Sequence, residues 1–263
     1  MDVIIFSGQS NMQGSTGEIC DLPPRKGVYQ YKYITDELVP LRSPVGEDIG
    51  ENVLWASALG GGSMVPYFCN EYARIRGEVT AIHVAKGGST IAQWQKGTER
   101  FEIAIDKIVK GIKKAESVAE IGKIYFVWLQ GESDALKYTP CEEYLKLLIK
   151  FKNDLKEKFF FDKFAIIKVG YFAAYADWCK GTFEEKKKSD ENIMKAQCAA
   201  EGIDKDFTLL TDVTVKLSVT EKYLNKKEHG PHYNNAGMEI IGIEAAKKLA
   251  ELANESKEEK IIR

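Results

Sequence analysis

The sequence predicts one α/β domain over residues 1–263, a three-layer α/β/α sandwich around a doubly wound parallel sheet of about five strands. Short, nearly continuous apolar runs alternate along the chain with segments of about 15 residues that have helical spacing. Strands that are apolar on both faces are typical of parallel sheets covered by helices on both sides. A chain of 263 residues, 44% of them hydrophobic, is long enough to bury a sizeable core.

The strands are predicted from runs of β-branched and aromatic residues. Val3 to Phe6 forms the first run, and the turn residues that follow Phe6 end it sharply. Lys123 to Leu129 is a further predicted strand, in which the six residues after Lys123 are all apolar. The complete set of expected strands is residues 3–6, 79–84, 123–129, 165–172 and 208–210.

The helices are predicted from apolar residues at helical spacing, as at Ile105, Ile108 and Ile112. The complete set of expected helices is residues 64–76, 101–118, 141–159, 183–201 and 235–254. Residues 14–50 are rich in glycine, proline and aspartate and carry several tyrosines, so we expect a loop-rich excursion of loops and short strands near the site. The charged tail, residues 255–263, is expected to fray.

Composition narrows the classes of function. The 37 basic and 39 acidic residues give a net charge of −2, which favours neither nucleic acid nor an anionic membrane as a partner. The five cysteines are scattered without metal-binding spacing, so we expect reduced thiols and no metal site. No signal peptide or apolar run of about 18 residues is visible, which predicts a cytoplasmic protein unless a leader was removed.

A serine follows the first predicted strand directly, in Gly8-Gln9-Ser10-Asn11. In open α/β sheets, ligands bind at the carboxyl ends of the strands, so this position suits a nucleophile with an exposed hydroxyl. In the simpler alternative, Ser10 or Asn11 only caps the following helix.

Later loops carry residues that complete an acyl-transfer site. Gly87-Gly88 follows the second strand of the alternation, Gln130 to Asp134 follows the third, and His232 precedes the last helix. These loops share one edge of a parallel sheet, so their side chains are expected to converge there. His232 is then the general base for Ser10, while the Gly88 backbone and the Gln130 amide offer donors for an oxyanion.

These motifs, in this order, resemble those of the SGNH/GDSL hydrolase superfamily, and most closely its branch of acetylxylan esterases (carbohydrate esterase family 6) and sialate O-acetylesterase-like proteins. The matching segments are residues 8–12, 87–94, 128–134 and 232–237. The resemblance implies a flavodoxin-like sheet, a nucleophilic Ser10, a catalytic His232, and an oxyanion hole of Ser10, Gly88 and Gln130. It also implies an acetylated small carbohydrate as substrate and no cofactor.

The sequence departs from that family at one position. Members usually carry an acid three residues before the catalytic histidine, where this chain has His229. Glu228, Glu132 or a backbone carbonyl remains to orient the imidazole, and we favour Glu132 because a buried carboxylate needs such a partner.

Four further residues are assigned to substrate binding. They are Gln9, Asn11, Asp134, which is placed to accept a sugar hydroxyl, and Trp94, which is placed to stack on a sugar face unless it is a core residue. The base must be neutral, so kcat/KM should rise through a pKa of roughly 6 to 7. Two alternatives are a non-catalytic carbohydrate-binding protein with a degenerate site and a serine esterase for other short acyl esters.

Overall fold

In the part of the chain that the structure describes, the central sheet has seven strands, two more than the five or so that the sequence predicted. The computed structural model describes residues 1–47, 49, 61–225 and 231–261, without side chains for residues 255–261. The strands are β1 (Asp2–Gly8), β2 (Val28–Lys32), β3 (Glu37–Pro40), β4 (Val79–Ala85), β5 (Ile124–Leu129), β6 (Lys163–Ile167) and β7 (Phe207–Thr211). Their order across the sheet is β3-β2-β4-β1-β5-β6-β7.

The two additional strands come from the excursion at residues 14–50. β2 and β3 form an antiparallel pair, and β2 extends the sheet by pairing parallel to β4. All the other neighbouring strands are parallel, as predicted. Part of the segment 14–50 therefore forms one edge of the sheet. Residues 48 and 50 of this segment lie outside the described part of the chain.

The predicted long helices are confirmed, and three short ones are added. The helices are α1 (Ser10–Gln13), α2 (Val65–Arg76), α3 (Glu99–Glu116), α4 (Glu132–Leu136), α5 (Cys141–Lys156), α6 (Phe183–Ile203), α7 (Val213–Leu217) and α8 (Asn235–Ile261). α8 continues into the tail that was expected to fray, of which residues 262–263 are not described. No helix in the described ranges is long and apolar enough to span a bilayer.

Aromatic contacts show that helices cover both faces of the sheet. Phe6 of β1 meets Phe68 of α2 edge to face, with ring centroids 5.1 Å apart. Phe126 of β5 packs against Phe151 of α5 at 5.8 Å. Phe6 lies opposite Val127, the strand neighbour of Phe126, so Phe6 and Phe126 point to opposite faces. The three-layer α/β/α arrangement is therefore confirmed.

The register of the central strands brings three loops to one place. Gly8, the last residue of β1, lies opposite Ala85 of β4 on one side and Leu129 of β5 on the other. The chain crosses β1 on its way from β4 to β5, so these carboxyl ends form a topological switch point. Gly8 has a φ of 148°, and a Cβ there would lie 2.0 Å from the Leu129 carbonyl oxygen, so only glycine fits.

Candidate active site

Ser10 and His232 meet at this edge of the sheet. Ser10 is the first residue of α1, and its Oγ lies 2.8 Å from Nε2 of His232, although 222 positions separate them in the sequence. Gln9 occupies the N-cap position of α1, and no side chain donates or accepts a capping hydrogen bond at the start of this helix. The structure therefore does not give Ser10 or Asn11 the capping role considered as an alternative. A neutral imidazole at this distance can accept the Ser10 proton.

The surroundings of His232 favour its neutral form. Burial lowers the pKa of His232 to about 4. This value lies below the pKa of roughly 6 to 7 that the sequence analysis expected. The ring of Phe172 stands nearly perpendicular to the imidazole, with centroids 5.2 Å apart. Nδ1 of His232 has no hydrogen-bond partner among the described residues, which exclude Glu228 and His229.

The prediction that Glu132 contacts the imidazole is wrong in this structure. Oε1 of Glu132 accepts a hydrogen bond from Nδ2 of Asn11 at 2.8 Å, and its Oε2 has no partner in the described ranges. Oδ1 of Asn11 in turn accepts the backbone N–H of Tyr233, next to His232, at 3.4 Å. Burial raises the pKa of Glu132 to about 7. In the described part of the chain, hydrogen bonds therefore connect Glu132 to the neighbour of His232 through Asn11.

Two backbone amides near Ser10 are available to an oxyanion. A Cβ added to Gly87 would lie 3.4 Å from the Ser10 Cβ, so this loop borders the serine directly. Gly88 has a φ of 69° and open space around it, while its neighbour Gly87 donates its N–H to Oε1 of Gln13 at 2.5 Å. The N–H groups of Ser10 and Gly88 donate to no group in the described part of the chain. They suit the negative oxygen of a tetrahedral intermediate.

The Gln130 amide, also predicted to bind the oxyanion, is already used inside the protein. Its Nε2 donates to the Ser89 carbonyl at 2.8 Å and to Oδ2 of Asp134 at 2.6 Å. Its Oε1 accepts from the Tyr144 hydroxyl at 3.1 Å, and the whole side chain is buried. With its donors occupied, Gln130 holds two loops together instead of facing a substrate.

Comparison with known proteins agrees with this geometry. A protein-family model described as "Carbohydrate esterase, sialic acid-specific acetylesterase" matches residues 1–251. The chain belongs to this family. It is therefore a carboxylic ester hydrolase, and the resemblance to SGNH/GDSL hydrolases is confirmed. No match was found among curated protein sequences.

Solved structures share the fold of this esterase at low sequence identity. A protein from Arabidopsis thaliana is 19% identical with a TM-score of 0.68, covering 95% of this chain and 98% of its own. A carbohydrate acetylesterase from Xanthomonas citri is 16% identical with a TM-score of 0.54, covering 96% and 57%. A lipase/acylhydrolase from Enterococcus faecalis is 14% identical with a TM-score of 0.50, covering 95% and 96%.

The residues assigned to substrate binding lie inside the esterase instead of on its surface. Oε1 of Gln9 accepts the Ser133 N–H at 3.0 Å, and Oδ2 of Asp134 accepts the Ile91 N–H at 2.9 Å. Together with Asn11, these buried polar groups fasten the loops after β1, β4 and β5 to one another. The polar atoms of Asn11 and Asp134 are occupied internally, so their substrate-binding assignments are corrected to a supporting role. For Gln9 only Oε1 is used in this way, and its assignment to substrate binding stays a prediction.

Trp94 is a core residue, the alternative that the sequence left open. Its ring is fully buried against Trp128, with centroids 5.5 Å apart, and its indole N–H donates to Oγ of Ser89 at 3.0 Å. No face of this ring is exposed to a sugar. Trp94 thus supports the loop that carries Gly88.

Sequence reasoning missed two residues that shape the surroundings of His232. Phe172 contacts the imidazole, and Asp190 of α6 fixes the turn after Phe172 by accepting the N–H groups of Ala173 and Ala174 at 3.0 and 2.9 Å. Burial raises the pKa of Asp190 to about 6. Asp190 lies within a strongly charged helical segment, where nothing in the sequence distinguishes it from solvated neighbours.

Proposed function

We propose that this esterase removes acetyl groups from O-acetylated carbohydrates through an acyl-enzyme on Ser10. The observation that carries the proposal is the 2.8 Å contact between Ser10 Oγ and His232 Nε2 at the carboxyl edge of the sheet. Membership of a family of carbohydrate esterases supports an acetylated sugar as the substrate.

In the first step, Ser10 Oγ attacks the ester carbonyl while His232 Nε2 takes its proton. The N–H groups of Ser10 and Gly88 stabilise the oxygen that becomes negative. Collapse of the intermediate transfers the proton from His232 to the departing sugar oxygen and leaves an acetyl ester on Ser10. Water, deprotonated by His232, then releases acetate and restores the serine. Each proton is carried by the same imidazole, and no metal or organic cofactor takes part.

The test is hydrolysis of p-nitrophenyl acetate, p-nitrophenyl butyrate and acetylated sugars by the wild type and Ser10→Ala at pH 7.5. We expect the wild type to prefer acetate, and Ser10→Ala to lose at least about 10³-fold in kcat/KM because the nucleophile is gone. Ser15→Ala, a nearby serine whose hydroxyl donates to the Ser10 carbonyl, is the matched control and should retain most activity. Equal rates for the wild type and Ser10→Ala would reject the acyl-enzyme and favour a role in carbohydrate binding.

A further inference from the structure

Exposed aromatic side chains are concentrated in one part of the surface. Five aromatic residues are exposed in the described ranges; three of them lie within nine residues of the chain, and a hydrogen bond joins a fourth to the same segment. We call these four the aromatic patch. Its members are Tyr138, Tyr175, Trp178 and Phe183, with exposed fractions of 41%, 44%, 54% and 46%. A concentration of this kind on a soluble protein marks a binding surface more often than single exposed rings do.

The aromatic patch lies at the same edge of the sheet as Ser10. Tyr175 and Trp178 belong to the loop that follows β6, and Tyr138 follows the short helix α4 after β5. The loop after β6 also carries Phe172, which contacts the ring of His232. The patch and the candidate active site are therefore connected through a single loop.

Internal hydrogen bonds hold the aromatic patch in place. Besides the contacts to Asp190, Nζ of Lys186 donates to the Ala176 carbonyl at 3.2 Å. The Tyr138 hydroxyl donates to the Lys180 carbonyl at 2.5 Å, so Tyr138 is fixed to the same loop. The rings of Tyr175 and Phe183 pack edge to face with centroids 5.7 Å apart. A preorganised aromatic surface loses little entropy when a ligand binds.

We propose that the aromatic patch binds the sugar chain of an oligosaccharide substrate, beyond the residue that carries the acetyl group. Sugar rings have apolar C–H faces that stack on aromatic rings and polar edges that need hydrogen-bonding groups. The exposed side chains of Asp177 and Lys180, on the same loop, supply such groups beside Trp178. The proposal rests on the function proposed above. It assigns to the aromatic patch the sugar-stacking role that the buried Trp94 cannot have.

The test compares three classes of substrate. These are p-nitrophenyl acetate, O-acetylated monosaccharides, and O-acetylated oligosaccharides of xylose, mannose and N-acetylglucosamine. We expect Trp178→Ala to lower kcat/KM about 10-fold for at least one oligosaccharide, mainly through KM, and to leave the other two classes unchanged. Trp178→Phe should restore most of the loss because it keeps an aromatic face. Unchanged activity of Trp178→Ala on every oligosaccharide would overturn the proposal.

Phe160→Ala is the matched control. Phe160 is the fifth exposed aromatic residue, at 71%, and it precedes β6 at the opposite edge of the sheet. Its loss should not affect any substrate. Failure of the proposed function is recognised separately, because the wild type would then hydrolyse none of the esters. In that case, the wild type and Trp178→Ala are titrated with the oligosaccharides in a calorimeter. Oligosaccharide binding that the wild type shows and Trp178→Ala loses supports the proposal, and absence of binding by the wild type overturns the proposal.

Discussion

At the scale of single residues, the environment of His232 determines how the site works. Burial against Phe172 keeps the imidazole neutral, the form that accepts a proton from Ser10. A pKa of about 4 also makes His232 a weaker base than an ordinary histidine. The rate per active molecule is then lower, but nearly every molecule is in the active form at neutral pH.

The pH profile of kcat/KM follows from this shift. The folded pKa of His232 is depressed, so activity should be nearly complete by about one pH unit above 4 and fall as the pH drops through about 4. We expect kcat/KM for p-nitrophenyl acetate to be nearly flat between pH 5 and 8, provided that chemistry limits the rate. An inflection between pH 6 and 7 that is present in the wild type and persists in Glu132→Gln would contradict the buried, neutral imidazole.

Glu132→Gln is the control for the pH profile, because the pKa of Glu132 is raised to about 7. Its ionisation adds a negative charge near Asn11 and Tyr233 and can therefore produce an inflection of its own near neutral pH. Glutamine keeps an oxygen that can accept from Asn11 and does not titrate. An inflection near pH 7 that disappears in Glu132→Gln therefore belongs to Glu132 and not to His232.

At the scale of elements, the site depends on loops that are fastened to one another. α4 places Asp134 where its carboxylate accepts the Ile91 N–H, which belongs to the segment after Gly88. The same carboxylate accepts from Gln130 and from Thr139. The position of the Gly88 amide is thus set by a residue from a different loop.

Asp134→Ala should therefore lower both stability and activity. The buried Ile91 N–H would lose its acceptor, which costs about 1 to 3 kcal/mol in the free energy of unfolding. Displacement of the Gly88 loop should also reduce kcat by about 10-fold or more. Urea unfolding and p-nitrophenyl acetate kinetics measure the two effects. Asp134→Asn, which keeps an oxygen acceptor, is the milder control; a fully active Asp134→Ala would show that the Gly88 loop needs no such support.

At the scale of the whole molecule, the sequence identifies the parallel core because its strands are continuous apolar runs. It predicts short strands within residues 14–50 but not their pairing as the hairpin of β2 and β3, whose Tyr29, Gln30 and Lys32 lie in a segment rich in turn residues. β2 pairs with the edge that β4 offers, which is a tertiary effect, and β3 then pairs with β2. The two strands beyond the expected five have this origin.

The candidate site likewise contains features that the sequence predicts and features that it does not. The order of motifs along a parallel sheet predicts that Ser10, Gly88 and His232 converge. The structure places Ser10 Oγ against His232 and Gly87, the neighbour of Gly88, beside Ser10. Hydrogen bonds between the loops are not visible in the sequence, which therefore predicts Gln130 in the oxyanion hole and Asp134 at a sugar hydroxyl although the two bind each other. The contribution of Phe172 depends on how far the loop after β6 reaches, which no local pattern encodes.

The most direct test of the central claim is detection of the acetyl group on Ser10. Wild type mixed with excess p-nitrophenyl acetate is quenched within milliseconds in strong acid, which protonates His232 and stops deacylation. Peptide mass spectrometry should then find one acetyl group on the peptide that contains Ser10, and none on the corresponding peptide of Ser10→Ala. Turnover by the wild type with an unmodified Ser10 peptide, or with the acetyl group on another residue, would contradict the assignment of Ser10 as the nucleophile.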